Sequence, residues 1–591
     1  MKKLFCKPIE IYLTRFISAW LVAECVLIAM NPAFGLLSFA RDVNVMVLAS
    51  ISVLMLAVIF MLDYAFPRAN IDGYSFAVST LSFAFTMALA YKGIDTMYFY
   101  LAVSVAVVFV IFYLWRRNRL PLVGVEFSRT ATLTLIAICA LVFGLFIGIA
   151  TVCRYLAYAA PNYDFGIFCQ MFHNMKETGL PNTTCERDFL LSHFGVHVSP
   201  IYYLILPFYM IFPSPVTLQI AQAAILTSAV IPLYLLCKRY NLSNKLTVLI
   251  SIMFLAYPAM SGGTMYDIHE NCFLAPLLLW MFYFFEKEKW VWMYVFAALT
   301  LLVKEDAFVF IVIFALYACL GRNTAKLCAP LIAMAGVYFV FASWYLSTYG
   351  MGVMANRFGS FIYDDSGILG VFKTLILDPA FLFTKLFAAS GNTSEKLFYI
   401  IQMLVPVCFI PFFTRKLSRF ILVLPLFINL IADSPYQYNI NFQYGFAISA
   451  FFFYLIIMNA SEMSEKTKRL AIPVAAVVAC LAICVFMLPR GGAVKNYSEN
   501  KATYQQMDEI LDTIPDDASV AASTFLLPHI ADRAELYEVA YHKSRDDVDY
   551  VILDMRPGYD TESTVYRDEF LAGDYEVLQV YDNLITILVK S

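Results

Sequence analysis

Apolar residues fall along this chain in long runs broken by short polar stretches, and within the runs there is no strict alternation of apolar and polar positions. That pattern predicts helices that cross a bilayer, because a hydrocarbon core about 30 Å thick takes about 20 apolar residues per helix. Roughly fifteen segments qualify on that length rule. They lie near 10–31, 45–62, 74–91, 97–114, 130–151, 216–236, 246–261, 272–285, 290–303, 307–320, 327–347, 397–413, 418–432, 443–459 and 470–489. A β-barrel would require alternation, since lipid-exposed backbone must satisfy its hydrogen bonds internally. The opening MKKLF resembles the charged start of a signal peptide, but CKPIE interrupts it and no small-residue cleavage site follows. An uncleaved first span is expected.

Composition agrees with the pattern: 591 residues are 61% hydrophobic and 14% charged, with mean hydropathy +0.72. Soluble domains carry about 25% charged residues. The net charge of −3 comes with no basic stripe, which argues against nucleic acid as a partner and leaves the lipid bilayer as the first one. Lysine and arginine in short loops mark the cytoplasmic side. With the N-terminus inside, that side receives Lys2, Lys3, Lys7, WRRNR (115–119), CKRYNLSNK (237–245), EKEK (286–289), GRNTAK (321–326), TRKLSR (414–419) and SEKTKR (464–469). The loop 152–215, SGGTMYDIHEN (261–271), residues 348–396 and everything after 490 then fall outside.

The expected fold is mainly α, a polytopic helical membrane protein with a small C-terminal soluble α/β domain. Residues 1–129 read as an appended bundle of about four spans, 130–490 as the main transmembrane unit and 491–591 as an extracytoplasmic domain. In that last part NYSENKATYQQMDEILDTIPDDA has helical periodicity, while SVAAST, DVDYVILDM and YEVLQVYDNLITILVKS read as strands. Cys153, Cys169 and Cys185 share the first large outer loop, where two of them could form a disulfide, although dispersed apolar cysteines are the plainer reading.

Ionisable residues cluster in those outer loops. Asp164 precedes Phe165, Phe168, Cys169 and Phe172, a spacing that predicts an amphipathic helix along the membrane interface. Two roles stand for Asp164: N-cap of that helix, or general base at the water boundary. His193 and His197 are four apart, the spacing of metal-binding pairs, but the glutamate of HExxH is replaced by Phe194 and a hydrogen-bonded pair is the simpler reading. YDIHEN offers Asp267, His269 and Glu270 as ligands for a divalent ion such as Mg, Mn or Zn, or as turn formers. In LLVKEDAF, Lys304, Glu305 and Asp306 would each incur about 2.5–3.5 kcal/mol if they faced lipid, so they belong in a polar cavity or in a self-neutralising turn.

NYDFGIFCQMFHN, HFGVHVSPIYYLILPFYMIFPSPVTLQIAQ, YDIHEN, LVKEDAF, NRFGSF (356–361), NFQYGF (441–446) and VDYVILD (548–554) together resemble the domain of unknown function 2079 family of bacterial and archaeal membrane proteins. That family is grouped with the GT-C superfamily of membrane glycosyltransferases. The resemblance implies a GT-C-like bundle from the fifth span onward, in a multi-pass protein of a prokaryotic plasma membrane. Its activity would move a sugar, with inversion, from a polyprenyl-phosphate donor to an envelope glycan, lipid or protein acceptor on the outer face. Carried over by position, Asp164 is the candidate base. Lys304 or Arg357 would stabilise the departing phosphate; Gln443 and Tyr444 would contact sugar or phosphate, or anchor the interface; Asp267, His269, Glu270, Glu305 and Asp306 would bind a metal or orient the cations. A transporter or flippase of a lipid-linked or small polar substrate is the alternative, and a noncatalytic scaffold a third. The charged clusters at one face and the lack of inverted symmetry favour the enzyme.

Overall fold

The computed structural model describes residues 8–30, 43–90, 96–116, 126–322, 324–352, 355–362, 368–387, 393–542, 547–581 and 583–591. Lys2, Lys3, Lys7, Arg117 and Arg119 of the orientation argument lie outside the described residues. Four helices, α1 (Ile9–Met30), α2 (Val45–Ala65), α3 (Ile71–Ala90) and α4 (Thr96–Arg116), precede the long α5 (Arg129–Leu156). A turn bearing Asp164 leads into α6 (Ile167–Thr178), and a small antiparallel pair follows, β1 (Asn182–Thr183) with β2 (Leu191–Ser192). Next come α7 (Pro215–Ser228), α8 (Val230–Arg239), α9 (Asn244–Leu255), α10 (Leu274–Glu286), α11 (Trp290–Leu301), α12 (Phe308–Arg322) and α13 (Ala325–Tyr349). The membrane unit closes with α14 (Thr393–Leu404), α15 (Leu424–Ile431), α16 (Phe446–Glu462) and α17 (Glu465–Phe486).

Helix lies on each of the fifteen apolar segments, but fewer helices are full spans. Among the described residues nine are long and apolar enough to cross a membrane, or ten if α9 and Pro258–Met265, which bend by 49°, count as one. The shortfall has a physical cause. Helices α10, α11 and α12 have only 13, 12 and 15 residues, because each stops against a charged turn, YDIHEN or LVKED, that cannot sit in lipid and is taken into the protein instead.

The two ends of the bundle differ. At one end Glu286 accepts from the hydroxyls of Tyr240 (2.7 Å) and Tyr454 (2.5 Å) and pairs with Arg322 (3.2 Å), while Arg419 pairs with Glu462 (2.6 Å). The basic loops gather here; the outer-loop motifs gather at the opposite end. Helices α3 and α4 pack on α17 through Ala84, Ala88, Tyr100 and Val107 against Val474, Val478 and Leu481. Arg15 of α1, buried, is neutralised by Asp63 and Asp72, each at 2.6 Å.

After α17 the chain forms α18 (Lys501–Leu511), β3 (Val520–Ala522), β4 (Leu536–Glu538), β5 (Tyr550–Asp554), α19 (Ser563–Leu571), β6 (Tyr575–Tyr581) and β7 (Ile585–Lys590). The sheet order is β4-β3-β5-β7-β6, with β3 parallel to β4 and β5, and β7 antiparallel to β5 and β6. Every strand read from the sequence is present, and β4 is an addition too short to show a period. This domain clamps the turn between α5 and α6. Tyr158 sits at φ +51°, a conformation costly for an aromatic residue. Its ring stacks on His529 at 3.5 Å, its hydroxyl donates to Asp508 (2.6 Å) and its carbonyl accepts from Arg556 (2.9 Å).

Candidate functional site

Helix α6 forms where the spacing predicts, packed on protein on more than one side. Phe168, Cys169, Met171, Phe172 and Met175 are buried on one face, while Gln170, also buried, donates to Thr184 (2.9 Å) and to Ala534 of the C-terminal domain (3.2 Å). The helix is sandwiched between membrane unit and domain, because its second face carries an amide that finds partners only in protein. The N-cap reading of Asp164 fails. The helix starts after Gly166 with no side-chain cap, and Asp164 lies near the Tyr266 hydroxyl instead.

Asp164 is half-buried. Crowding by protein raises its carboxyl above the usual range, with His269 opposing and Glu270 adding to the rise. Around it the motifs distant in sequence come together. His269 lies 2.7 Å from Glu270, and Lys304 lies 2.8 Å from the other oxygen of Glu270. The Tyr202 hydroxyl donates to Glu270 as well (2.8 Å). Burial alone would raise the Glu270 carboxyl, but His269 and Lys304 outweigh it and hold it well below the ordinary value. His197 pairs with Glu305 at 2.9 Å, and Glu305 also accepts from the Val198 N–H (3.1 Å). Asp306 is exposed; surrounding protein raises its carboxyl, with Lys304 and Arg357 opposing. Arg357 stands over the Tyr444 ring at 5.4 Å.

Asp267 occupies the other wall. Arg154, at the end of α5, donates to it (2.6 Å) and also to the Tyr266 carbonyl, and Gln219 adds a third bond (3.1 Å). Burial nevertheless lifts its carboxyl to about 6. Arg490 donates to the Gly262 carbonyl (3.2 Å) and is close enough to Arg154 to lower its own pKa, burial being the larger cause, to about 10. YDIHEN and NFQYGF reach the site through a close backbone approach. A Cβ on Gly262 would lie 2.1 Å from the Ile440 carbonyl oxygen, and one on Gly263 2.8 Å from that of Phe442, so only glycine fits.

His193 and His197 are not a metal pair. They lie in and just after a 3₁₀ turn rather than on one helix face, their rings are 6.2 Å apart, and each has its own acid, Glu186 for His193 (3.0 Å) and Glu305 for His197. Among the described residues no three His, Cys, Asp or Glu side chains are grouped to hold a metal ion. Glu186, Glu270 and Glu305 are each matched to a cation, an imidazole or a hydroxyl. Buried acceptor oxygens of Gln219, Asp267, Asn271 and Gln443 lack protein donors, so the site has acceptors to spare. Cys153, Cys169 and Cys185 are all free thiols.

Beside this chamber runs an apolar groove of about 870 Å³ between α5 and α7–α8, lined by Ile136, Gly144, Gly148, Ala223 and Thr227 and reaching Val152 and Cys153 at its chamber end. Arg154 is the next residue. The model of a family of predicted membrane proteins, DUF2079, matches residues 154–585, beginning at that arginine and taking in every motif around the chamber. The chain belongs to the DUF2079 family.

No curated protein matches this DUF2079 chain. Among solved structures it is similar to ArnT from Cupriavidus metallidurans bound to undecaprenyl phosphate, with TM-score 0.47 and 11% identity over 78% of this chain and 98% of that one. The same protein in the apo state gives 0.40 and 11% over 75% and 97%. Arg154, Glu186, Tyr202, Gln219, Tyr266 and Arg490 belong to the site of this DUF2079 protein and were not legible beforehand. Arg154 and Arg490 read as ordinary charges at helix ends, and nothing local to Glu186 or Tyr202 names a partner.

Proposed function

We propose that this protein is a GT-C-type membrane glycosyltransferase that moves a sugar from a polyprenyl-phosphate donor to an acceptor on the outer face of a prokaryotic plasma membrane, inverting the anomeric centre. The chamber end is then the outer end, consistent with basic loops at the other. The observation that carries the reading is Asp164: a partly exposed carboxyl raised above its ordinary value, close to the internally compensated charges of His269, Glu270 and Lys304, in a membrane unit that also carries a greasy groove reaching the residue before Arg154. A general base works best when its pKa is drawn toward the operating pH.

Asp164 takes the proton of an acceptor hydroxyl as that oxygen bonds to the anomeric carbon. The carbon–oxygen bond to phosphate breaks on the opposite face, and its electron pair leaves with the phosphate. The isoprenoid tail lies in the groove between α5 and α7–α8. Arg357, half-buried, receives the developing phosphate charge, with Arg154 and Arg490 near the groove mouth. Lys304 is committed to Glu270 and fixes the floor of the site. Gln443 and Tyr444 line the same loop as candidate sugar contacts.

The test is transfer of labelled sugar from a polyprenyl-phosphate donor by purified protein. Asp164→Asn should lower the rate by about 10²–10⁴-fold. Vectorial movement of the donor without transfer would replace this reading with a flippase.

A further inference from the structure

A cavity of about 370 Å³ lies at the end of the bundle where the basic loops gather, between the appended helices and the main unit. Leu81 of α3 and Ile111 of α4 form one wall, and Leu246 of α9 and Val477 of α17 form the other. Neither α3 nor α4 falls within residues 154–585. One wall is therefore built by a part of the chain outside the family match.

The charged residues of the lining sit where α5, α9 and α17 begin: Lys245, Lys468 and Arg469 against Glu126 and Glu465. Glu465 is shared, 2.8 Å from Lys468 and 3.9 Å from Arg469. Three cations thus meet two acids, and this end keeps a positive charge. The N-terminal ends of α9 and α17 add a partial positive charge of their own. The side chains of Arg469 and Glu465 are 62% and 70% exposed, so the charged end opens to water.

Inward from that mouth the lining turns aliphatic. Along α17 the cavity runs from Glu465 to Val477, a rise of about 18 Å. One leaflet of a hydrocarbon core about 30 Å thick is about 15 Å deep. A cavity that is cationic at the surface and aliphatic for the depth of one leaflet matches a lipid with an anionic headgroup. A soluble anion would leave the aliphatic part empty, and a zwitterionic lipid would leave the surplus cation unanswered. With less than half the volume of the groove between α5 and α7–α8, the cavity suits a fatty acyl chain better than a polyprenyl one.

We propose that this cavity binds one anionic glycerophospholipid of the inner leaflet, with an acyl chain between α3–α4 and α9–α17 and its phosphate held by Lys245 and Arg469. The bound lipid joins the appended bundle to the main unit. The site is at the opposite end from Asp164 and does not depend on the transferase reading.

The test is native mass spectrometry of the full-length protein in mild detergent, titrated with dioleoylphosphatidylglycerol, dioleoylphosphatidylcholine, undecaprenyl phosphate or glycerol 3-phosphate. Expected are one phosphatidylglycerol bound per chain at least tenfold more tightly than phosphatidylcholine, a preference below twofold when Lys245→Gln and Arg469→Gln are combined, and loss of the bound lipid in Val110→Trp, which fills the aliphatic part. The glutamine pair leaves the cavity walls intact, so it decides the matter even where Val110→Trp does not fold. Equal binding of the two phospholipids, a preference unmoved by the glutamine pair, binding of glycerol 3-phosphate in place of the lipid, or displacement of phosphatidylglycerol by equimolar undecaprenyl phosphate would overturn the proposal.

Discussion

At Asp267 two requirements pull apart. Its negative charge holds Arg154, yet its carboxyl protonates at about 6. A carboxyl raised in the folded state binds its proton more readily there than in the unfolded chain, so acidification from pH 6 toward 4 stabilises the fold through this group while releasing Arg154. Transfer activity should therefore fall as pH drops through about 6 with no loss of folded protein, measured as rate and thermal midpoint on the same samples. Glu270 behaves in the opposite sense. Its depressed carboxyl contributes stability that is full above the pKa of an unfolded glutamate and is lost progressively as pH falls below it, provided Lys304 is present. Lys304→Met leaves a buried carboxylate short of a partner and should cost about 3–5 kcal/mol. A lower thermal midpoint in detergent, partly recovered by adding Glu270→Gln, is the expected result.

The element scale shows how far the sequence could be read. Apolar runs located a helix in each of the fifteen segments but not Leu206–Ile211, Ile368–Leu377 or Pro379–Phe387, which lie in stretches read as outer loops, and charge spacing placed Asp164, YDIHEN and LVKED at one end. The segments behind α10–α12 are short in the sequence as well, and these helices join the two ends of the bundle with 12–15 residues each. Pairings such as His193 with Glu186, or Arg154 with Asp267, depend on contacts that no local period encodes. The junction of Gly262 with the Ile440 carbonyl is of the same kind. Gly262→Ala should force apart two loops that both feed the site, at about 1–3 kcal/mol. Lower thermal stability together with weaker Asp164-dependent transfer would show it.

At the scale of the whole molecule, the C-terminal domain holds the turn carrying Asp164 in a conformation it would not keep alone. Arg556→Ala removes the bond to the Tyr158 carbonyl and leaves Asp554 buried beside it. Faster amide hydrogen exchange over 158–166 and a fall in kcat, with the KM for the lipid donor unchanged, are expected. The groove reaches the residue before Arg154, whose guanidinium lies over the Tyr266 ring at 5.5 Å. On the proposed reading one reactant slides in sideways from the bilayer and the other descends from the aqueous side, so neither must vacate the chamber before its counterpart arrives. Initial velocities should then give intersecting rather than parallel double-reciprocal lines, and no label should exchange between carrier and free carrier phosphate until the second reactant is supplied.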